Sequence, residues 1–191
     1  MDQWIQSIIK RQIQNKKISA SEAEIYQYGY RLLIEKICVF MLTLGIGFMF
    51  HAWREVFLFC IAFIPLRVYS GGYHTKKSIS CMLLSATVLI SNIFLVRGFA
   101  SFDMGKYLVT LELPFFILLN YFSPIETVSR KIEVNEKKFF HKMVFFIYVI
   151  EILAEILFII FGYEKFMLSF LVAHGFNVIT VLSEAILHKI S

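Results

Sequence analysis

A histidine and a cysteine seven residues apart are the residues of this chain best suited to chemistry. His74 and Cys81 belong to the polar segment 65–81, which lies between two apolar runs and contains Gly71 and Gly72. A cysteine acts as a nucleophile when a nearby base or cation stabilises its thiolate, and histidine is a common base. The pair therefore indicates nucleophilic thiol chemistry, although a loop histidine beside an incidental thiol would give the same pattern. No Gly-x-Ser-x-Gly motif surrounds the rival nucleophiles Ser70, Ser78 and Ser80.

Cys81 has the most reactive surroundings of the three cysteines. Lys76 and Lys77 precede it, and it lies near the predicted amino terminus of a helix, where the helix dipole favours an anion. Cys38 and Cys60 lie inside apolar runs, where a free thiol behaves as a small hydrophobic group. The spacing of cysteines and histidines matches no zinc-binding motif, so we expect neither a metal nor a cofactor.

The spacing of His74 and Cys81 restricts the backbone between them. In one straight helix, seven residues would separate them by about 10.5 Å along the axis, which exceeds the reach of a hydrogen bond. A direct pair therefore requires the chain to turn, and Gly71 and Gly72 permit a turn because glycine accepts positive φ. We expect a tightly turned segment followed by a helix that begins near Ser78.

The rest of the sequence predicts an all-α integral membrane protein. Hydrophobic residues make up 58% of the 191 residues, against about 45–50% in soluble proteins. Six apolar runs approach the roughly 20 residues that cross a bilayer, although the second is short and borrows its flanks. We expect one domain over residues 1–191, with a basic amphipathic region at 1–30 and a six-span bundle at 32–187. The six runs are 32–50, 56–66, 79–96, 107–122, 143–161 and 166–187.

The distribution of lysine and arginine predicts the orientation of the spans. With six spans and both termini in the cytoplasm, fourteen of the 19 Lys and Arg residues fall on the cytoplasmic side and four on the other. This bias agrees with the positive-inside rule, and it makes the segment with His74 and Cys81 cytoplasmic. The net charge of +5 suits an anionic membrane surface and gives no reason to expect a nucleic-acid partner.

The amino-terminal region has the pattern of a basic amphipathic helix. Ile5, Ile9 and Ile13 recur at helical spacing beside several lysines and arginines. The pattern fits either an interfacial helix lying flat on the membrane or a helix packed on the rest of the protein. Ser19 and Glu22 have the spacing of a capping box, which predicts that a second helix starts there.

Several predicted spans contain polar side chains that lipid does not solvate. Glu151 and Glu155 are four residues apart and therefore share one helical face. We expect such groups to point into the bundle, where they either join helices through hydrogen bonds or line a path for a polar substrate. The set comprises Glu35, Lys36, Glu112, Glu151, Glu155, His174, Asn177 and Glu184.

The polar segment as a whole resembles the signature of a known family. Pro65, Arg67, the run Gly71-Gly72-Tyr73-His74 and Cys81, set between spans, resemble the accessory gene regulator B (AgrB) family. These proteins are integral-membrane cysteine endopeptidases of quorum sensing in Gram-positive bacteria. The basic amino-terminal region, the span pattern and the loop at 123–126 extend the resemblance over essentially the full chain.

The resemblance implies an activity and its residues. Cys81 would be the catalytic nucleophile and His74 the general base, with Arg67 and Gly72 in the functional motif. The substrate would be an AgrD-like propeptide with an acidic carboxy-terminal tail. The enzyme would remove the tail, and the acyl-enzyme thioester would pass to an internal cysteine or serine to give a cyclic thiolactone or lactone.

The resemblance also implies a setting for this activity. The protein would act as a homodimer in the cell membrane of a Gram-positive bacterium, with its active site facing the cytoplasm. Lys76 and Lys77 suit the acidic tail of the substrate by charge complementarity, and Glu126 is the candidate for orienting His74.

A function of another class fits the same sequence. A small peptide transporter or export channel without proteolytic activity would use the carboxylates within the spans as its path. The role of Cys81 separates the two hypotheses, because only the endopeptidase needs this thiol.

Overall fold

The chain is helical throughout the part that the structure describes. The structure, a computed structural model, describes residues 2–72, 78–102, 105–125 and 133–190. Short 3-10 turns at Ala20–Glu22 and Val109–Leu111 precede the second and sixth helices. The all-α prediction is confirmed for these residues. The helices are α1 Asp2–Gln14, α2 Ala23–Met49, α3 Trp53–Ser70, α4 Ser78–Ser101, α5 Gly105–Leu108, α6 Glu112–Phe122, α7 Val134–Ile160 and α8 Glu164–Ile190.

The amino-terminal compact unit, Met1–Leu44, contains α1 and most of α2. Ile5 and Ile9 of α1 are buried in a cluster against which Tyr30 and Ile34 of α2 pack. The apolar face of α1 therefore packs on protein, which is one of the two arrangements that its amphipathic pattern allows. The interfacial placement of α1 stays a prediction.

The predicted capping box precedes α2. The Glu22 carboxylate accepts hydrogen bonds from the Ser19 backbone N–H at 2.9 Å and from Ser19 Oγ at 2.8 Å. The 3-10 turn Ala20–Glu22 then leads into α2. Because the first N–H groups of a helix lack partners within the helix, this contact fixes where the second helical segment starts, and the prediction is confirmed.

α8 is the central helix of the second compact unit, Gly45–Ser191. It contacts α3, α4, α6 and α7. In its apolar stretch 61% of the residues are buried, against 22% in α4 and in α7. Side chains of the helices around α8 are therefore held in place by one shared core. Its buried members are Leu66, Leu119, Val144, Tyr148, Val178 and Val181.

The outer surfaces of the helices carry large apolar side chains. Phe57, Phe146 and Leu153 are each more than half exposed, which is unfavourable in water and favourable in lipid. The chain is therefore a membrane protein. Four helices are long and apolar enough to cross a membrane: Ala20–Met49, Ile79–Ser101, Asn135–Ile160 and Glu164–Leu187.

The other two predicted spans are helical but shorter or less apolar. α3 has 18 residues, and its ends carry Arg54, Glu55 and Arg67. The remaining apolar stretch is the shorter helix Val109–Phe122. A helix at each of the six predicted positions is confirmed, whereas six complete membrane crossings and the orientation of the termini stay predictions.

Two hydrogen bonds join helix termini at one end of the second unit. Arg97 of α4 donates from Nη2 to the Phe50 carbonyl at 2.8 Å. The backbone N–H of Gly105 donates to Glu164 Oε1, at the start of α8, at 3.1 Å. These termini belong to the side that the charge rule places outside the cell, and the segments with Arg67 and Cys81 lie at the other end.

Candidate functional site

α3 ends in a turn that is suited to glycine alone, termed here the glycine turn. Gly71 and Gly72 have φ values of 74° and 118°, which residues with a side chain rarely adopt. A Cβ on Gly71 would lie 2.6 Å from the Ile125 carbonyl oxygen. A Cβ on Gly72 would lie 3.0 Å from the Thr180 carbonyl oxygen and would overlap the Arg67 guanidinium. The predicted break in the helix is confirmed at this turn.

The glycine turn lies where three segments of the second unit meet. Ile125, in the loop after α6, donates its backbone N–H to the Ser70 carbonyl at 3.0 Å. The backbone of α8 approaches from another direction at Thr180. His141 of α7 places Nδ1 3.1 Å from the Ser123 carbonyl, so α7 also reaches this end. Backbone atoms of the loop after α6 and of α8 thus fix the position of the turn.

Arg67 connects the glycine turn to two ionisable side chains. Its Nη1 donates a hydrogen bond to the Gly71 carbonyl, which holds the guanidinium beside the turn. Glu184 of α8 and Cys81 of α4 both lie within electrostatic range of this guanidinium. The carboxylate balances the cation, and the cation is one of the partners that a reactive thiol requires.

Cys81 occupies the first turn of α4. The helix begins at Ser78, as predicted, and the Cys81 side chain is partly exposed. The first N–H groups of a helix have no partner within the helix, and such groups favour an anion nearby. Cys38 and Cys60 instead lie within α2 and α3.

Of the predicted site, the described part of the chain places Gly72 against the Arg67 guanidinium and Cys81 within electrostatic range of that guanidinium. The predicted pairing of His74 with Cys81 is not tested and stays a prediction. The roles expected of the other predicted site residues also stay predictions. Four predicted site residues lie outside the described residues: His74, Lys76, Lys77 and Glu126.

Three residues of this region were not assigned to the site from sequence. Ile125 and Thr180 act through backbone atoms, so the identity of their side chains carries no signal. Glu184 did carry one, because an acidic side chain within an apolar helix usually faces a cationic partner. Arg67 was an available partner, but nothing in the spacing along the chain relates α3 to α8.

A second polar site lies within the helices of the same unit. His174 of α8 is fully buried, with Nδ1 2.8 Å from Glu112 Oε2 and Nε2 2.9 Å from Glu151 Oε2. Glu155 Oε1 lies 3.6 Å from Nδ1. The Tyr148 hydroxyl donates to Glu112 Oε2 at 2.6 Å, and its ring stacks on the imidazole at 4.3 Å. These five residues are termed the His174 cluster.

The His174 cluster accounts for half of the polar residues predicted within spans. Glu151 and Glu155 share one face of α7, as their spacing predicts, and all four ionisable members are less than one-tenth exposed. Asn177 likewise joins two helices, since its Nδ2 donates to the Phe63 carbonyl at 3.3 Å. Buried bonds between α6, α7 and α8 fit the interhelical alternative better than a path for a polar substrate.

A groove of about 530 Å³ runs between α6 and α7 beside the His174 cluster. Its walls are apolar except for Thr110, Glu112 and Glu155. Within the described residues, Glu112, Glu155 and His174 also form the group whose ligand atoms, all within 4.8 Å of one another, could hold a metal ion.

Comparisons with known proteins agree on one family. The family model described as accessory gene regulator B matches residues 1–181. A provisionally named AgrB-like protein of Clostridium perfringens strain SM101 is 30% identical over 171 residues, which are 83% of this chain and 80% of that protein. No solved structure matches the chain.

Two further relatives match over shorter regions. A provisionally named AgrB-like protein 2 of Clostridium perfringens strain 13 is 31% identical over 121 residues, which are 60% of this chain and 56% of the relative. A provisionally named AgrB-like protein of Listeria innocua is 27% identical over 105 residues, which are 54% of this chain and 50% of the relative. These two matches therefore span only about half the length of the relatives.

Proposed function

This chain belongs to the accessory gene regulator B (AgrB) family, and from that premise we propose that it is a membrane cysteine endopeptidase. Family membership implies a part in the maturation of a quorum-sensing peptide. The proposed substrate is an AgrD-like propeptide, and the proposed reaction removes its carboxy-terminal tail. The remaining peptide then closes into a cyclic thiolactone or lactone.

The position of Cys81 within electrostatic range of the Arg67 guanidinium is the observation that carries this proposal. Cys81 lies in the first turn of α4, is partly exposed and lies within electrostatic range of Arg67. α3 ends at Ser70, and the chain turns at Gly71 and Gly72, so one continuous helix does not run from Arg67 to Cys81. A nucleophile at a helix start, beside a fixed cation and a sharp turn, suits acyl transfer better than it suits simple packing.

The proposed reaction proceeds in two acyl transfers. His74 accepts the thiol proton, and the Cys81 sulfur attacks the carbonyl carbon of the scissile peptide bond. The C–N bond breaks, the leaving amine takes the proton, and the tail departs from a thioester. An internal thiol or hydroxyl of the peptide then attacks that thioester and returns a proton to Cys81. Backbone N–H groups in the first turn of α4 would donate to the oxyanion.

Charged residues around the site are assigned to substrate recognition and support. Lys76 and Lys77 would attract the acidic tail of the propeptide. Arg67, held by the Gly71 carbonyl, would add a fixed positive charge at the same end of the helices. Glu126 would orient His74 by accepting a hydrogen bond from its second ring nitrogen.

The proposed setting is a single domain of six spans with both termini in the cytoplasm. α3 has 18 residues, which extend about 27 Å, close to the roughly 30 Å of the hydrocarbon core. A cytoplasmic site suits a substrate made inside the cell, and the amphipathic leader of the peptide would hold it at the membrane surface. We also propose the homodimer that the family resemblance implies.

Substitution of Cys81 tests this proposal directly. Cys81→Ala and Cys81→Ser, each co-expressed with the propeptide, should leave the propeptide at full length, as judged by mass spectrometry. Cys38→Ser and Cys60→Ser are the matched controls and should retain processing. Normal processing by either Cys81 variant would overturn the endopeptidase assignment.

The transporter alternative receives less support from the structure. Its path would require the carboxylates within the helices to face water. Those of the His174 cluster are buried, and Glu112 and Glu151 are bonded to His174. A thiol-selective electrophile that labels Cys81 before Cys38 and Cys60, together with arrested processing in Cys81→Ala, would exclude a transporter without proteolytic activity.

A further inference from the structure

The His174 cluster contains polar atoms whose bonding is incomplete. Among the described residues, no hydrogen-bond donor reaches Glu155 Oε1 or Glu112 Oε1, and both atoms are buried. The Glu155 side chain is only 1% exposed, and Oε1 faces His174 Nδ1 at 3.6 Å. An unpaired buried carboxylate oxygen is costly, because neither water nor protein compensates its charge.

The contacts of the imidazole raise a related difficulty. An ionised carboxylate only accepts hydrogen bonds, and both ring nitrogens of His174 face one, from Glu112 and from Glu151. If the ring carries two protons, three carboxylates still surround a single positive charge. Any ionised carboxylate beyond one would then leave uncompensated negative charge within helices that are packed in lipid, where such charge is strongly unfavourable.

We propose that the His174 cluster binds one divalent transition-metal ion. His174 Nδ1, a Glu112 oxygen and Glu155 Oε1 are the ligands, and the ion takes the place of a proton between Nδ1 and Glu112. Glu155 Oε1, which lacks a donor, is then engaged, and a positive ion faces the carboxyl groups that surround the imidazole. Imidazole and carboxylate ligands together favour Zn²⁺ or a neighbouring first-row ion over Mg²⁺ or Ca²⁺.

The geometry is close to what such an ion needs. Metal–ligand distances of about 2.0–2.2 Å place two ligand atoms on one ion about 3.3–4.2 Å apart. The ligand atoms of Glu112, Glu155 and His174 lie within 4.8 Å of one another. Small rotations of the carboxylates are sufficient to close this gap. The ligands come from three helices, so the spacing of residues along the chain could not reveal the site.

The surroundings of the ligands have the form of a metal-site outer shell. A metal-bound histidine typically donates its other ring N–H to a carboxylate, which fixes the tautomer and the orientation of the ring. Glu151 Oε2 lies 2.9 Å from Nε2 in that role. The Tyr148 hydroxyl donates to Glu112 Oε2 at 2.6 Å, which orients a ligand carboxylate in the same way.

The proposed ion is separate from the cysteine site. Glu112 begins α6, and the glycine turn lies beyond the other end of that helix, at Ile125. The 11 residues of α6 extend about 16 Å. The ion would therefore join α6, α7 and α8 within the membrane, and the transfer reaction at Cys81 does not pass through it.

Metal content of the purified full-length protein tests the proposal. The protein is prepared with Cys38, Cys60 and Cys81 replaced by Ser and without a polyhistidine tag, so that neither thiols nor the tag bind zinc. After treatment with a chelator and loading with Zn²⁺ in detergent, mass spectrometry of the metal should find one ion per chain. Folded protein that binds no stoichiometric zinc would overturn the proposal.

Matched variants locate the ion. His174→Gln and Glu155→Gln should lose stoichiometric binding, and Glu151→Gln should weaken it about 10–100-fold, as expected for an outer-shell partner. Glu184→Gln removes a buried carboxylate of α8 that lies outside the cluster and should leave zinc binding unchanged. Equal binding by all of these variants would place the zinc elsewhere and overturn the assignment.

Spectroscopy of the unsubstituted cluster provides a measurement that does not depend on the folding of any cluster variant. Co²⁺ loaded in place of Zn²⁺ into the same cysteine-free protein should show magnetic coupling to one imidazole nitrogen in pulsed electron paramagnetic resonance. A bound Co²⁺ without imidazole coupling would rule out His174 as a ligand.

Discussion

At the scale of single residues, the candidate active site depends on positions that few other residue types could occupy. Gly72 has a φ of 118° and is enclosed by the Arg67 guanidinium and the Thr180 carbonyl. The Arg67 guanidinium in turn bonds to the Gly71 carbonyl. A change at Arg67, Gly71 or Gly72 would move or remove the cation beside Cys81, so processing should be sensitive to it.

Gly72→Ala should reduce propeptide processing at least tenfold. The added Cβ overlaps Arg67, and the backbone conformation costs about 1–3 kcal/mol for a residue with a side chain. Gly98→Ala is the matched control, because nothing lies within 4 Å of its added Cβ in α4 and alanine favours a helix by about 1 kcal/mol. Mass spectrometry of the peptide measures processing, and wild-type processing by Gly72→Ala would show that the turn is not required.

His74→Ala should leave the protein folded and membrane-inserted but unable to process the propeptide. The proposed base accepts the thiol proton, and its loss removes about 10²–10⁴-fold in rate. His51→Asn is the control at the other end of the helices, where asparagine tolerates the φ of 48°. The amounts of cleaved peptide and of inserted protein are compared, and normal cleavage by His74→Ala would remove this residue from the mechanism.

At the scale of helices, α8 organises the second unit and its core is shared by α3, α6 and α7. Helix association within lipid depends on close packing more than on the exclusion of water. A buried leucine in this core should therefore contribute much more to stability than a leucine that faces lipid on the same helix.

Leu119→Ala should lower the stability of the solubilised protein by about 2–5 kcal/mol, because it leaves a cavity between α6 and its neighbours. Leu119 is fully buried, whereas Leu113 of the same helix is 66% exposed. Leu113→Ala is therefore the control and should change stability by less than about 1 kcal/mol. Thermal unfolding followed by circular dichroism measures both, and equal losses would contradict the packing of α6 on α8.

The sequence predicted the local features of these helices well. The Ser19–Glu22 capping box, the break at Gly71 and Gly72, and the start of α4 at Ser78 were all predicted, because each depends on residues close together in the chain. The shared face of Glu151 and Glu155 follows from helical periodicity for the same reason.

The contacts between helices were beyond sequence reasoning. Nothing in the spacing of residues relates Glu112 to His174, which are 62 residues apart, or places the Thr180 carbonyl against Gly72. Contacts between residues far apart in the chain depend on how whole helices pack. The hydrophobic pattern indicates only which face of each helix turns inward. The predicted roles of His74, Lys76, Lys77 and Glu126 concern residues outside the described part of the chain.

At the scale of the whole molecule, the described chain forms two compact units, and four helices are long and apolar enough to cross a membrane. The distribution of lysine and arginine favours an orientation with both termini in the cytoplasm, which stays a prediction. In that orientation, the loop between α7 and α8 faces outward and the start of α7 faces the cytoplasm.

Reporter cysteines should distinguish the two faces of the membrane. In a background with the three native cysteines replaced by Ser, a membrane-impermeant maleimide on intact cells should label Tyr163→Cys and not Glu136→Cys. Both parent side chains are exposed, so burial does not decide the outcome. Permeabilised cells supply the control, since both positions should then react, and the reverse pattern on intact cells would contradict the proposed orientation.

The approach of the Thr180 carbonyl to Gly72 has a consequence for the evolution of this protein. Every residue type carries a backbone carbonyl, so position 180 is free to drift among helix-forming residues while the contact persists. Position 72 has no such freedom, because any other residue would bring a Cβ into the occupied space. This contact therefore constrains position 72 alone. Because position 180 varies independently, substitutions at the two positions would not be correlated among related sequences, and such a correlation would not reveal the contact.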